Sequence, residues 1–267
     1  MCGRFAAFSS ASAIADQLAL QVISDGARLL PPNWNVAPTQ QIPVIIKPGL
    51  DLEPSLSRPS TPNAGISASG LELTTARWGL LAPWSHKQSV KQGGAGIINA
   101  RAESVAEKRT FADAFANRRC LVPVNGYYEW QKVNAVGLSR KQPWYFTDPS
   151  GKLMLFAGIF NVFNGELTVA ITTTVANEVM APIHHRMPSV LAQSDMDIWF
   201  SADPISAEHL ILNGGNQLIR KPVSTKVNRV GNNGPDLITE VVPLNLASQS
   251  NGATEATNIE LPKLTLF

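Results

Sequence analysis

The stretch CLVPVNGYYEW, residues 120–130, reads as strand, because valine and aromatic side chains suit a pleated, half-buried surface. Strand-like segments follow at residues 144–147, 153–161 and 167–174, several of them separated by Gly or Pro. Towards the amino end, residues 42–47 form another β-rich run. Residues 71–78 alternate, with Leu71, Leu73, Thr75 and Arg77 on one face. Helical signals are shorter. Residues 10–20 carry alanines with Ile14 and Leu18 four apart and Ser10 or Ser12 as N-cap. Residues 103–117 form the clearest helical stretch, with a break and re-cap allowed between Thr110 and Asp113. Residues 195–200 and 207–212 read as short helices. Many short strands with interspersed helices predict an α+β fold: a single domain with a central mixed, barrel-like β-sheet and peripheral helices.

Residues 2–246 are expected to form that domain. Residues 48–70, dense in Pro, Ser and Gly, read as a loop insertion, and residues 247–267 as a polar, flexible tail. The 267 residues are 44% hydrophobic and 16% charged, as in a soluble globular protein. No apolar run is long enough to span a bilayer and the start is not a secretory signal, so no membrane partner and a cytoplasmic location are expected. Two cysteines, four histidines and no Cys-x-x-Cys pair argue against structural zinc, and no cofactor is expected. A net charge of +2 permits nucleic-acid binding without demanding it.

The sharpest feature is positional. An initiator Met before a small residue is normally removable, and its loss leaves Cys2 with a free α-amine and a thiol on adjacent carbons. The two groups titrate near about 8 and about 8.5, so a useful fraction of each is nucleophilic at neutral pH. Towards an aldehyde the amine forms a Schiff base, and the tethered thiolate closes a five-membered thiazolidine. The same thiol can attack an acyl carbon, as in N-terminal-nucleophile hydrolases. Taken alone, a free cysteine is more often a small buried hydrophobe.

Other polar residues sit in patterned segments. Asn99 and Arg101 follow the apolar pair Ile97-Ile98, where a helix cap and a surface ion pair are the plainer readings. Glu129 lies among aromatics; buried there its pKa would rise, and facing outward it would be ordinary. His184, His185 and Arg186 precede Met187-Pro188, which suggests a loop at a site. Trp34, Trp78 and Trp84 stand beside loop residues, where they can stack on unpaired bases or plug the core; Trp78 is expected in the core.

Taken in order, these segments resemble the SOS-response-associated peptidase (SRAP) family of abasic-site processing proteins. The matching stretches are Met1-Cys2-Gly3-Arg4-Phe5, Asn35-Val36-Ala37-Pro38, Trp78-Gly79-Leu80, and Asn99-Ala100-Arg101-Ala102-Glu103. They continue through Gly126-Tyr127-Tyr128-Glu129-Trp130, Ala157-Gly158-Ile159 and His184-His185-Arg186-Met187-Pro188. A weaker echo runs from Pro222 to Asn228.

The resemblance implies the family's fold with a positively charged DNA channel, and capture of the sugar aldehyde of abasic sites in single-stranded DNA by terminal Cys2 as a thiazolidine. It also implies an associated lyase activity and a peptidase-like removal of Met1. By motif position Asn99 would orient the α-amine, Glu129 would shuttle protons, and His184, selected by the His-x-Arg-x-Pro pattern, would protonate the sugar oxygen. Arg4, Arg101 and Arg186 would hold flanking phosphates, Pro38 and Trp84 would form a wedge and stacking surface, and Thr173 would make a polar contact near the site. Single-strand/duplex junctions are expected to bind well. Residues 263–267, with Leu264, Leu266 and Phe267, resemble peptides that bind bacterial sliding clamps, although a greasy terminus packed on its own domain is the plainer reading. Two further functions use the same residues: a cysteine peptidase or amidase, and a non-catalytic single-strand-binding module.

Overall fold

The structure, a computed structural model, describes residues 2–48, 70–82, 94–135, 138–213 and 217–244. Trp84, most of the 48–70 segment, the 247–267 tail and its Leu264–Phe267 end lie outside the described residues. The first strands are β1 (Phe5–Ala7), β2 (Val22–Ile23), β3 (Asn33–Val36), β4 (Gln41–Ile46), β5 (Glu72–Trp78), β6 (Asn99–Arg101) and β7 (Arg119–Val124). They are followed by β8 (Gly126–Ala135), β9 (Leu138–Thr147), β10 (Met154–Phe163), β11 (Glu166–Val175), β12 (Arg186–Pro188), β13 (Val190–Leu191) and β14 (Ile219–Pro222). The helices are α1 (Ala11–Leu18), α2 (Asp25–Leu29), α3 (Ala112–Asn117), α4 (Met196–Ser201) and α5 (Pro204–Asn213).

Five strands close into a barrel. β5–β4–β7–β10–β11 are joined by antiparallel ladders, and β11 returns to β5 in parallel, with Thr168 opposite Arg77 and Val169 opposite Trp78. The two-residue period of the strands sorts their side chains. Ile42, Val44 and Ile46, with Cys120, Val122 and Val124 and with Met154, Phe156 and Phe160, share one buried cluster with Trp78. The alternate residues Ile45, Leu121, Leu155, Ala157 and Ile159 pack instead with Ile14 and Leu18 of α1, Phe115 of α3 and Trp199 of α4. One set fills the barrel and the other seats the helices. The α+β, barrel-like architecture expected from the strand pattern is therefore present.

A second sheet, in the order β14-β9-β8-β1-β3, carries the start of the chain at its inner position. Phe5 lies opposite both Val36 and Tyr127. Residues 120–130 are not one strand. The chain leaves the barrel at Val124 and enters the second sheet at Gly126, and the Oδ1 of Asn125 between them accepts the N–H groups of Phe8 and Ser9. Gly126 is required by close approach, since a Cβ there would stand 2.2 Å from the Tyr145 ring.

Ser10 caps α1, its hydroxyl accepting the Ala13 N–H at 3.2 Å. The expected helix over residues 103–117 is confined to α3 in its second half; residues 102–104 make a single 3-10 turn. Packing explains the break. In a continuous helix, at about 100° per residue, Val105 and Phe111 would diverge by about 120°. Interrupted, they reach the same buried cluster as Phe115. Among the described residues no helix is long and apolar enough to cross a membrane.

Candidate functional site

Cys2 enters the second sheet just ahead of β1 and is fully buried. Three other elements converge on it. β6 runs parallel to β11, Asn99 opposite Ile171, which sets the Asn99 Nδ2 to donate to the Cys2 carbonyl at 2.8 Å. The other amide atom of that side chain, Oδ1, is buried and has no partner. Glu129 stands on β8 opposite Trp144 and is 6% exposed. Burial drives its carboxyl above the ordinary carboxylate range, against the pull of the positive charge at the chain's amino terminus. Burial, reinforced by the charge of Glu129, also pushes the Cys2 thiol well up. The sulfur is therefore held as a thiol, not as a ready thiolate.

His184 reaches the same region from the turn between β11 and β12. Its Nδ1 lies 3.0 Å from the Arg186 N–H and 3.1 Å from the Arg186 carbonyl, so it accepts or donates there according to the tautomer. Burial lowers its pKa, which favours the neutral form. The exposed His185 ring stacks on it at 4.4 Å, so both rings lie at the site's edge and the geometry does not separate their roles. The turn is tied to β8 by Gln131, whose Nε2 donates to the Pro182 carbonyl and whose Oε1 accepts the Trp144 indole N–H. Cys2, Asn99 and Glu129 are thus gathered from three segments far apart in the chain, and the charge of His185 is felt at Glu129.

The SOS response associated peptidase (SRAP) family model matches residues 1–230. The chain belongs to this family. Among SRAP relatives, the abasic site processing protein YoqW of Bacillus subtilis is 32% identical over 248 residues, covering 89% of this chain and 99% of the relative. The abasic site processing protein HMCES of Xenopus tropicalis is 27% identical over 73% of this chain and 70% of its own. A crystal structure from Bacteroides thetaiotaomicron superposes with a TM-score of 0.70 at 21% identity, covering 90% of this chain and all of that one. This last likeness is one of fold.

Within the SRAP fold the three arginines part company. Arg101 is exposed on β6. Arg4, expected at a phosphate, instead donates from Nη1 to the Asn35 Oδ1 at 2.8 Å and to the Val227 carbonyl at 2.9 Å, with its guanidinium over the Trp130 ring. Arg186 is 8% exposed; it grips Glu103 with two hydrogen bonds, at 2.5 and 2.8 Å, and donates to the Thr173 carbonyl. Both guanidiniums are engaged within the fold, since a guanidinium drawn into a fold must find acceptors there, and each keeps a buried Nε with no partner among the described residues. Thr173 is likewise sequestered, its hydroxyl meeting the Ala100 carbonyl and an Arg186 nitrogen. Pro38 is half-buried at the turn from β3 to β4. Trp34 stacks on Phe8, and Trp78 is a core residue that donates to the Ile98 carbonyl.

The sequence reading gave no role to Asn35 or Glu103, although both lie in matching stretches. Asn35 donates to the carbonyls of Val227, Arg229 and Asn232, pinning residues 227–232 against β3. Glu103 is the acid that neutralises Arg186. Their signal was the motif itself, a polar residue beside an apolar run. Among the described residues no three His, Cys, Asp or Glu side chains gather in a metal-binding arrangement.

Proposed function

We propose that the chain captures abasic sites in single-stranded DNA as a thiazolidine on Cys2, once Met1 has been removed. The α-amine attacks the aldehyde of the ring-opened sugar and gives a Schiff base with loss of one water. The Cys2 Sγ then adds to the imine carbon while the thiol proton passes to the nitrogen, which closes the ring. The adduct therefore weighs one water less than protein and DNA together.

The observation that carries this reading is the 2.8 Å bond from Asn99 to the Cys2 carbonyl. It holds the residue by its backbone, while the sulfur donates to the Arg4 carbonyl at 3.7 Å, and the unpartnered Asn99 Oδ1 can accept from the amine. Glu129, whose pKa burial raises, is placed to take and return protons. His184, at the edge of the site, can pass a proton to the sugar oxygen as the ring opens. A protonated thiol fits this sequence, in which the amine attacks first. Arg101, exposed two residues beyond Asn99, supports a contact to a flanking phosphate.

The test is incubation with single-stranded abasic DNA, followed by denaturing electrophoresis and intact mass. The native chain lacking Met1 should give an adduct one water short of the sum, and Cys2→Ala none. An equal yield from Cys2→Ala would end the proposal. Continuous duplex should react more slowly, because the sugar is less accessible within a stack.

A further inference from the structure

Past Glu129 the second sheet narrows to a ribbon. β1 pairs with β8 only at Gly126 and Tyr127, and β14 pairs with β9 only from Trp144 to Thr147. From Trp130 opposite Pro143 to Ala135 opposite Leu138, β8 and β9 have only each other as ladder partners among the described residues. This span, QKVNAVGLSRKQ at 131–142, contains Lys132, Arg140 and Lys141 and neither Asp nor Glu. The three cations exceed the net charge of +2 carried by the whole chain.

All three side chains are exposed, and none is in an ion pair among the described residues. Lys132 and Lys141 are direct cross-strand partners. Like charges set opposite one another destabilise a ladder, so stability gives no reason for the pair. Arg140, opposite Val133, shares the face of Glu129, while the lysines take the other, so the charges straddle the ribbon. The ribbon root is fixed on the reactive side by Gln131 and by Val133, which is buried. Lys132 follows Glu129 by three residues, about 10 Å along the strand.

We propose that this ribbon is a phosphate-gripping arm that holds the DNA flanking the captured sugar. The inference rests on the capture reading for its partner and adds to it where the flank is held. A polyanion is the occupant that unpaired, acid-free positive charge beside the site fits. Phosphate contacts of this kind position a strand without reading its sequence.

The experiment compares Cys2→Ala chains, with and without Lys132→Gln, Arg140→Gln and Lys141→Gln together, binding unmodified single-stranded DNA over a range of salt. Losing three phosphate contacts should lower the slope of log affinity against log salt by about 2. Affinity should fall at least tenfold on a long strand and progressively less as the strand is shortened towards about four nucleotides. Lys132→Arg with Lys141→Arg should restore the slope. Should the triple variant fold poorly by circular dichroism, Lys141→Gln alone should lower the slope by about 0.7. An unchanged slope and affinity on long strands would overturn the arm. Failure of the native chain to crosslink abasic DNA would instead overturn the capture reading, and the salt slope would still judge the arm.

Discussion

The closed barrel and the second sheet bury their side chains to different ends. The barrel interior is apolar, with Ile42, Val44, Val122, Phe156 and Phe160 meeting across it, and its requirements are volume and shape. The second sheet and its surroundings bury Asn35, Glu129 and Gln142 and hold Arg4 half-buried, each needing particular partners at particular distances. An apolar core accepts any filling of the right size, whereas a buried polar group has few satisfactory positions. The barrel interior therefore asks for volume, and the second sheet, which sends Phe5, Tyr127 and Phe146 into the same apolar cluster, also supplies position through β1 and β8.

The contrast can be attacked from the barrel side first. Phe156 is fully buried and lies against Phe5 and Tyr127. Phe156→Ala should cost about 3–5 kcal/mol in urea denaturation, the largest of the effects here. A loss below about 1 kcal/mol, the size of a surface change, would mean that the barrel interior does not depend on volume.

On the polar side, Asn35→Ala strips three carbonyls of a donor and Arg4 of an acceptor. It should cost about 1–3 kcal/mol and make residues 227–232 exchange their amide hydrogens faster. A loss of stability without faster exchange there would show that Asn35 acts by packing alone.

The smallest effect depends on pH. The folded Glu129 carboxyl binds its proton more tightly than the unfolded one, whose pKa is about 4.3. Its contribution to stability is therefore full below that value and is lost as pH rises through the raised folded value. Glu129→Gln should leave Tm near the native value at pH 4 and raise it at pH 8, while slowing crosslinking. The Glu103–Arg186 pair runs the other way with pH, but it is common to both proteins and cancels in the comparison. A Tm difference of the same size at both pH values would show that the buried carboxylate is not the source of strain.

Much of the site was legible before any coordinates. Cys2, Asn99, Glu129 and His184 stand in ordered motifs, and the first three come together in the fold. The fates of Arg4, Arg186 and Thr173 were not legible, for a physical reason. Whether a guanidinium faces solvent or an internal carboxylate depends on what folds against it, and the partner of Arg186 lies 83 residues away. The helix break before Phe111 and the change of sheet at Asn125 are of the same kind. Local signals permit both breaks, through Thr110 and Asp113 and through Asn125-Gly126, but competition for buried space decides that they are used.

Composition, strand periodicity and motif order were enough to specify an α+β chain of the SRAP family with Cys2 as its candidate reactive residue, because alternation and residue chemistry are local properties. Closure of the barrel through β5 and β11, the insertion of β1 between β3 and β8, and the division of arginines between solvent and interior belonged to the tertiary structure. Those outcomes depend on contacts between segments that carry no mark of one another until the chain is packed.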